Sequence, residues 1–332
     1  MRANEIIRNV VKEKLSRNEV VASMTIRLVR TVEIAQLAKT AGFDMIYIDL
    51  EHSPMTLDAT GQICLAALSV GITPMVRVPA NTPDYIQRAL DGGALGIVAP
   101  GIRSAEEARA VVRAVKYAPL GERGAGGALP HLQYHSFPTA EANAAVNDAT
   151  MVIVQFESAE ALARADEIAA VEGVDMVLIG VNDMLASMGL AGQYEHPQVR
   201  EAYARTIAAC RKHGKHVGVG GLSTRPKLAA EFIAMGARMV STGTDVQFLL
   251  AAAAEKAKQV HDIPARPQLL QSMASRTRRP PSRCRATPAT ATRTCSDRTG
   301  GFRLRSTAST RPARRRSKTC RRCIACCSST AW

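Results

Sequence analysis

The chain has 332 residues, of which 46% are apolar and 4% aromatic, so a core must be built mainly from Ala, Val, Ile, Leu and Met. This length suits one large α/β domain or two smaller ones. The formal charge of +14 is unevenly distributed, because residues 264–332 hold 17 of the 43 Lys and Arg and one of the 29 acidic residues. Residues 1–263 are therefore nearly neutral, with a net charge of −2.

The cysteine content and the absence of long apolar runs bear on the cellular location of the protein. Cys64 and Cys210 are the only cysteines in residues 1–263, which is typical of reduced thiols in a cytosolic protein. The N-terminal stretch shows no apolar segment with a cleavage site, and no run of 18 apolar residues occurs. We therefore expect a cytoplasmic protein with no membrane partner.

Short apolar runs alternate with longer amphipathic stretches between residues 5 and 260. The predicted strands cover residues 20–26, 45–52, 74–78, 95–98, 151–156, 174–179, 216–219 and 239–241. The predicted helices cover residues 32–40, 57–69, 83–90, 105–115, 140–146, 159–170, 197–213, 227–235 and 246–259. Eight strand–helix units predict a (β/α)8 TIM barrel. A doubly wound open sheet is the alternative, but it usually needs a Gly-rich turn after an early strand, and the first two strands have none.

The composition changes abruptly after the predicted barrel domain, residues 1–263. Arg, Ser, Thr, Ala, Pro and Cys dominate residues 264–332 without helical or strand periodicity, which predicts a disordered tail. We hypothesise that this tail is the product of a reading-frame shift, and the intact mass of the native protein would test this. A cluster in the tail has zinc-like spacing but no second ligand pair, so we interpret it as incidental; it comprises Cys320, Cys323, Cys326 and Cys327.

Four predicted strands end in polar side chains. They are Asp49, Glu51 and His52 after the second strand, Arg77 on the third, Gln155 and Glu157 on the fifth, and Asn182 and Asp183 after the sixth. Because the carboxyl ends of barrel strands meet at one face, where active sites lie, we expect these groups to converge.

The residue types suggest a division of roles. Glu157 and Asp183 are suitable ligands for a hard divalent cation, since two carboxylates leave positions for water and a chelating substrate. Arg77 within an apolar strand is costly to bury unless an anion contacts it. His52 is the member of the group whose ordinary pKa suits proton transfer near neutrality.

Structural interpretations remain open for each residue taken alone. Glu51 could charge the start of the following helix, His52 could be structural, Arg77 could pair with Asp49 or Asp91, and Asp183 could be a turn residue. We expect six further histidines to be structural: His131, His135, His196, His213, His216 and His261.

Several separated motifs together resemble one known family. They are Phe43-Asp44, Ile48-Asp49-Leu50-Glu51-His52, Val76-Arg77-Val78, Gln155-Phe156-Glu157, Val171-Glu172-Gly173-Val174-Asp175 and Asn182-Asp183. In this order they resemble the metal-dependent pyruvate aldolases of the HpcH/HpaI family, over residues 5–260. The resemblance implies cleavage of a 4-hydroxy-2-oxo acid to pyruvate and an aldehyde, with Mg²⁺, Mn²⁺ or Co²⁺. It also implies a homo-oligomer, a hexamer or trimer of dimers, whose subunits exchange the last helix.

The resemblance also assigns roles by position. It makes Glu157 and Asp183 the metal ligands, Gln155 a contact to pyruvate, and the backbone of Asn182 a contact to the substrate carboxylate. His52 would be the base, and Arg77 would be the cation that stabilises the transition state. Asp91 would be the acid that raises the basicity of His52, and Asp49 and Glu51 would be supporting groups. Two positions depart from the family pattern. Gly180-Val181-Asn182-Asp183 replaces a Gly-Pro-x-Asp motif, and Gly127 stands where some relatives have a hydroxyl residue.

A retro-aldol lyase is therefore the predicted function, and two alternatives remain. Lys39, Lys116 and Lys215 sit at predicted helix ends or just before a strand, which argues against a Schiff-base route. A CoA-ester lyase of the malyl-CoA or citrate lyase type would share the metal carboxylates but should need a basic groove for the CoA phosphates. Nucleic-acid binding through the basic residues 264–332 is a more distant alternative. Such binding would weaken steeply as the salt concentration rises. We expect no nucleic acid as a partner of residues 1–263.

Overall fold

The computed structural model describes residues 1–263. The predictions for residues 264–332, which are disorder, an incidental Cys cluster and a reading-frame shift, fall outside the described residues. Eight parallel strands close into a barrel in the order of the sequence, so the predicted (β/α)8 barrel is confirmed. The strands are β1 (Val21–Ile26), β2 (Met45–Asp49), β3 (Thr73–Arg77), β4 (Gly96–Ala99), β5 (Met151–Phe156), β6 (Met176–Gly180), β7 (His216–Gly220) and β8 (Met239–Thr244).

Helices surround the barrel and close its N-terminal end. They are α1 (Ala3–Ile6), α2 (Val10–Ser16), α3 (Glu33–Thr40), α4 (Leu57–Val70), α5 (Pro83–Asp91), α6 (Ala105–Val115), α7 (Thr139–Ala149), α8 (Ala159–Ala163), α9 (Ala165–Ala169), α10 (Val181–Ser187), α11 (Pro197–Lys212), α12 (Pro226–Met235) and α13 (Asp245–His261). The sequence analysis missed α1, α2 and α10, because helices this short show too few turns of apolar periodicity.

Alternation along each strand separates the barrel interior from the layer under the helices. On β2, Met45 and Tyr47 point into the barrel, whereas Ile46 and Ile48 pack against the helices. The interior is filled by Val11, Leu15, Val21, Met45, Tyr47, Met75, Val98, Met151, Ile153, Met176, Leu178 and Met239. Flexible Met side chains thus fill a space for which this sequence has few aromatic residues. The same alternation points Asp49, two residues beyond Tyr47, into the mouth of the barrel.

Helix α13 is the one whose apolar side chains are least covered among the helices of residues 1–263. It begins with a capping box between Thr244 and Gln247, and only Asp245 in it is buried. Its exposed large apolar side chains are Val246, Phe248, Leu249, Leu250 and Val260. A barrel helix would normally bury such residues. Over the described residues, no helix combines the length and apolar character needed to cross a membrane.

Candidate active site

Three charged side chains lie at one level, one at the end of β2, one at the end of β3 and one just after β1. Asp49 is aligned with Arg77 in the register of β2 and β3, and the β1–β2 register places Arg27 level with Asp49. Arg77 donates from Nε and Nη2 to the two oxygens of Asp49, at 2.9 and 2.6 Å. Arg27 Nε donates to Asp49 Oδ2 at 2.6 Å. One carboxylate therefore binds two guanidinium groups.

Burial makes these charges depend on each other. The Asp49 side chain is fully buried, and that of Arg77 is 5% exposed. Burial alone would raise the pKa of Asp49, but the hydrogen bonds and charge of Arg77, with the charge of Arg27, hold that pKa below its ordinary value. Burial likewise opposes the charge of Arg77, yet Tyr47 and the two acids beside it raise the pKa of Arg77 overall. Arg77 therefore remains a cation at the mouth of the barrel.

Asp49 also shapes the turn that carries Glu51 and His52. Its Oδ1 accepts hydrogen bonds from the backbone N–H groups of Glu51 at 3.1 Å and of His52 at 3.2 Å. The His52 ring is left half exposed. Glu51 Oε2 lies 2.8 Å from Arg77 Nη1 and 3.6 Å from His52 Nε2. No donor in residues 1–263 is aligned with this oxygen, so it is a buried acceptor without a hydrogen bond.

Carboxylates gather on the other side of the mouth, at the ends of β5 and β6. Gln155 Nε2 donates to Glu157 Oε1 at 2.7 Å, and the Gly101 N–H donates to Glu157 Oε2 at 2.8 Å. Burial and the negative charge of Glu51 raise the pKa of Glu157 to about 7, with a further contribution from Asp183, although the Gly101 N–H acts in the opposite direction. Glu51 and Asp183 are thus close enough to Glu157 to disfavour its negative charge.

The end of β6 leaves room for these groups because residue 180 is glycine. A Cβ on Gly180 would lie 2.8 Å from Gln155 Nε2 and 3.0 Å from Glu157 Cγ, so a side chain there would displace the Gln155 amide and crowd Glu157. Helix α10 begins at the next residue. Asp183 therefore lies in the first turn of a helix and not in the loop that the sequence predicts.

A cavity of about 350 Å³ opens between the basic and the acidic side of the mouth. Of the residues selected from the sequence, those that line it are His52, Arg77, Gln155, Asn182 and Asp183. Asp49, Glu51 and Glu157 lie outside this lining and contact residues that form it. Eight of the nine residues selected from the sequence are therefore at or beside one cavity.

Asp91 is the exception. It is the last residue of α5, which runs back from the carboxyl end of β3 toward the opposite end of the barrel. There its Oδ1 accepts a hydrogen bond from Arg123 Nη2 at 2.7 Å. The expectation that Asp91 raises the basicity of His52 is not met within one chain, because the direction of α5 separates the two groups.

Comparison with known proteins identifies the family. The family model for HpcH/HpaI aldolase/citrate lyase matches residues 29–252. The chain belongs to this family. It is 39% identical over 258 residues to the 4-hydroxy-4-methyl-2-oxoglutarate aldolase of Hapsidospora irregularis, covering 77% of this chain and 96% of that protein. It is 38% identical over 222 residues to the 4-hydroxy-2-oxo-heptane-1,7-dioate aldolase of Escherichia coli, covering 67% of this chain and 83% of that protein.

Solved structures agree with this assignment. The HpcH/HpaI aldolase from Desulfitobacterium hafniense matches with a TM-score of 0.73 and 32% identity, covering 78% of this chain and 100% of that one. The protein is thus an aldolase, and hence a lyase, as the sequence predicts.

The sequence analysis missed residues that this aldolase contributes from its first and last strands. Arg27 follows the apolar run of β1 just as the acidic residues follow β2, and Asp245 follows β8 in the same way. The rule that selected the other strand ends would have found both. Arg27 lines the cavity, whereas Asp245 does not. The other lining residues from these two strands are Ser23, Thr25, Met239, Ser241, Gly243 and Thr244.

The donor set on the acidic side fits a hard divalent cation. Residues 1–263 contain no cluster of three or more His, Cys, Asp or Glu arranged as a complete metal site. Glu157 and Asp183 would therefore supply two ligands, leaving positions for substrate and water. The raised pKa of Glu157 reflects a repulsion that a cation would relieve. Within residues 1–263 the buried oxygen Gln155 Oε1 accepts no hydrogen bond, so acceptor capacity remains at this side.

Replacing Asp49 by Asn should destabilise the aldolase, because Arg77 would stay buried without the carboxylate that compensates it. Removing one partner of a buried ion pair costs about 3–5 kcal/mol. Urea denaturation of Asp49→Asn measures this loss as a change in the free energy of unfolding. The matched control is Glu13→Gln, which removes the partner of Arg8 from an exposed pair and should cost no more than about 1 kcal/mol. Equal losses in the two variants would contradict a structural role for Asp49.

Proposed function

We propose that this protein is a divalent-metal-dependent aldolase that cleaves a 4-hydroxy-2-oxo acid to pyruvate and an aldehyde. The observation that supports this most strongly is the single cavity lined by His52, Arg77, Gln155 and Asp183, with basic groups on one side and carboxylates on the other. A 4-hydroxy-2-oxo acid needs both sides, since its carboxylate and 2-oxo oxygens suit a cation and its 4-hydroxyl needs a base.

Glu157 and Asp183 would hold the cation, with Mg²⁺, Mn²⁺ or Co²⁺ as candidates. When bound, such a cation supplies Lewis acidity at the carboxylate and 2-oxo oxygens of the substrate. Gln155 and the backbone of Asn182 would orient this end of the substrate. Tyr194 Oη donates to Asn182 Oδ1 at 2.7 Å, which holds the Asn182 side chain in place.

The cleavage step uses the basic side. His52 would accept the proton of the 4-hydroxyl, a carbonyl would form at C4, and the C3–C4 bond would break with its electron pair passing to C3. Arg77 would stabilise the negative charge that develops on the substrate oxygens. Protonated His52 would then return a proton to C3 of the enolate, which gives pyruvate and restores the neutral imidazole. Asp49 would keep the Arg77 guanidinium oriented for this role.

A Schiff-base route receives no support from the lysines. The cavity lining within residues 1–263 includes no Lys. The Lys116 amine donates to the backbone oxygens of Asn147, at 2.7 Å, and Thr150, at 2.5 Å, and Lys39 donates to the backbone oxygen of Gly71. These amines are engaged away from the cavity and are not placed to attack a 2-oxo group.

Pyruvate release from 4-hydroxy-2-oxo acids tests the proposal. The purified full chain should release pyruvate in a coupled assay with Mn²⁺, lose activity in excess chelator, and recover it on addition of Mg²⁺, Mn²⁺ or Co²⁺. Full activity in excess chelator would contradict the metal role. Cleavage of malyl- or citramalyl-CoA but of no 4-hydroxy-2-oxo acid would favour the CoA-ester lyase instead.

His52→Ala and Arg77→Ala should each lower kcat by about 10²-fold or more, because one removes the base and the other the charge stabilisation. Both variants should still bind Mn²⁺, measured by calorimetry, since neither residue is a proposed ligand. The matched controls are His213→Ala and Arg109→Ala, whose side chains pair with Asp166 and Glu106 away from the cavity. Unchanged turnover in His52→Ala would rule out its assignment as the base.

We also propose that the protein is a homo-oligomer in which α13 packs against another subunit. The apolar residues Leu249 and Leu250 are 59% and 68% exposed on this helix, so a single chain leaves them in water. The acid expected beside His52 is absent from that position in one chain. Asp91, about half exposed at the opposite end of the barrel, is available to act on a second copy.

Light scattering of the double variant Leu249→Asp/Leu250→Asp tests this arrangement. The wild type should have a mass that is a multiple of the chain mass, and the variant should dissociate, because each Asp would place a charge in an apolar contact. Leu37→Asp is the matched control, since Leu37 is 61% exposed on α3 and should leave the mass unchanged. A monomeric wild type would refute the proposal.

A further inference from the structure

Arg27 is a second cation in the cavity, and its guanidinium is only partly used by the protein. It lines the cavity with a side chain that is 36% exposed. Its Nε donates to Asp49, whereas neither Nη1 nor Nη2 donates a hydrogen bond to any residue in 1–263. A guanidinium in this state presents its outer edge, the edge that binds carboxylates through two parallel hydrogen bonds.

The backbone beneath Arg27 is held firmly. Asp245, which is 4% exposed, accepts hydrogen bonds from three successive backbone N–H groups. They are those of Arg27 at 3.0 Å, Leu28 at 2.9 Å and Val29 at 2.8 Å. The turn after β1 is thus tied to the start of α13. With Asp49 fixing Nε, the outer edge of Arg27 is preorganised, which lowers the ordering cost of binding a ligand.

The position of Arg27 relative to Arg77 limits what it can contact. Arg27 Nε and Arg77 Nη2 both lie 2.6 Å from the same Asp49 oxygen, so these two nitrogens are within about 5 Å of each other. The acidic side of the cavity lies at β5 and β6, across the barrel from β1. A ligand bound between the acidic side and Arg77 therefore has Arg27 beside Arg77, at the end of the cavity away from β5 and β6.

We propose that Arg27 binds a second carboxylate of the substrate, located on C4 or one carbon beyond it, and so selects dicarboxylic 4-hydroxy-2-oxo acids. This inference rests on the proposed function and adds the residue that recognises the far end of the substrate. A neutral far end would leave the outer edge of Arg27 facing an apolar group and would gain no charge-assisted hydrogen bond there.

Binding of two unreactive 2-oxo acids tests the role of Arg27 without relying on turnover. 2-Oxoglutarate and 2-oxopentanoate have the same chain length and differ only in a terminal carboxylate or methyl group. Calorimetry with the Mn²⁺-loaded wild type should show tighter binding of 2-oxoglutarate, by about 10- to 100-fold, the gain expected of hydrogen bonds to a charged group.

The variants separate a contact to the ligand from a role in holding Asp49. Arg27→Gln should bring the affinity ratio of the two acids close to one, and Arg27→Lys should retain part of it. Arg30→Gln, in the same turn but exposed and outside the cavity lining, should leave the ratio unchanged. If Arg27 only supports Asp49, Arg27→Gln will weaken both acids equally, and an unchanged ratio overturns the inference.

The wild-type comparison needs no variant, so the inference stays testable if Arg27→Gln fails to fold. Equal affinities for the two acids in the wild type would overturn it while leaving the proposed function intact. Failure of the wild type to bind either acid would instead overturn the proposed 2-oxo acid site itself, and the selection by Arg27 with it.

Discussion

The carboxylate of Asp49 is the group on which the arrangement of this active site depends. It is fully buried, and a carboxylate without partners could not stay ionised there. Hydrogen bonds from Arg77, from Arg27 and from the backbone N–H groups of residues 51 and 52 stabilise its negative charge. The same bonds fix the guanidinium groups of Arg77 and Arg27 beside each other at the cavity and hold the turn that carries His52.

The barrel makes this network possible through strand register. Parallel strands bring residues that are 22 and 28 positions from Asp49 to its own level, on either side of it. Every second residue of β2 points into the barrel, so Met45 and Tyr47 fill the interior below Asp49 on the same strand. At the same levels β1 contributes Ser23 and Thr25, which line the cavity, so the cavity extends into the barrel on the β1 side.

Charge is separated across the mouth. Basic groups come from β1 and β3, and the carboxylates Glu157 and Asp183 come from β5 and β6 on the other side. Glycine at position 180 makes space for Glu157 and Gln155, while their hydrogen bond fixes the carboxylate of Glu157. This separation of charge fits the proposed substrate. Its chelating 2-oxo acid end would bind on the side of Glu157 and Asp183, and its negative oxygens would face the arginines.

The sequence by itself determined the barrel and most of the strand-end residues, because apolar runs of strand length followed by charged residues have few other interpretations. This pattern was enough to select Asp49, Arg77, Gln155 and Asp183. Their selection requires only the rule that active sites lie at the carboxyl ends of barrel strands. Arg27 is visible by the same rule, but its importance depends on a partner 22 residues away. Nothing local shows that Asp49 pairs with both arginines.

Tertiary structure alone decided three further points. The direction of α5 places Asp91 away from His52, which depends on where a helix ends relative to the barrel axis. The apolar side chains of α13 are uncovered, although the pattern of that helix predicts a buried face. Asp245 binds the turn after β1 only because closure of the barrel brings β8 beside β1. Each outcome depends on contacts between segments far apart in the chain, and local periodicity carries no information about such contacts.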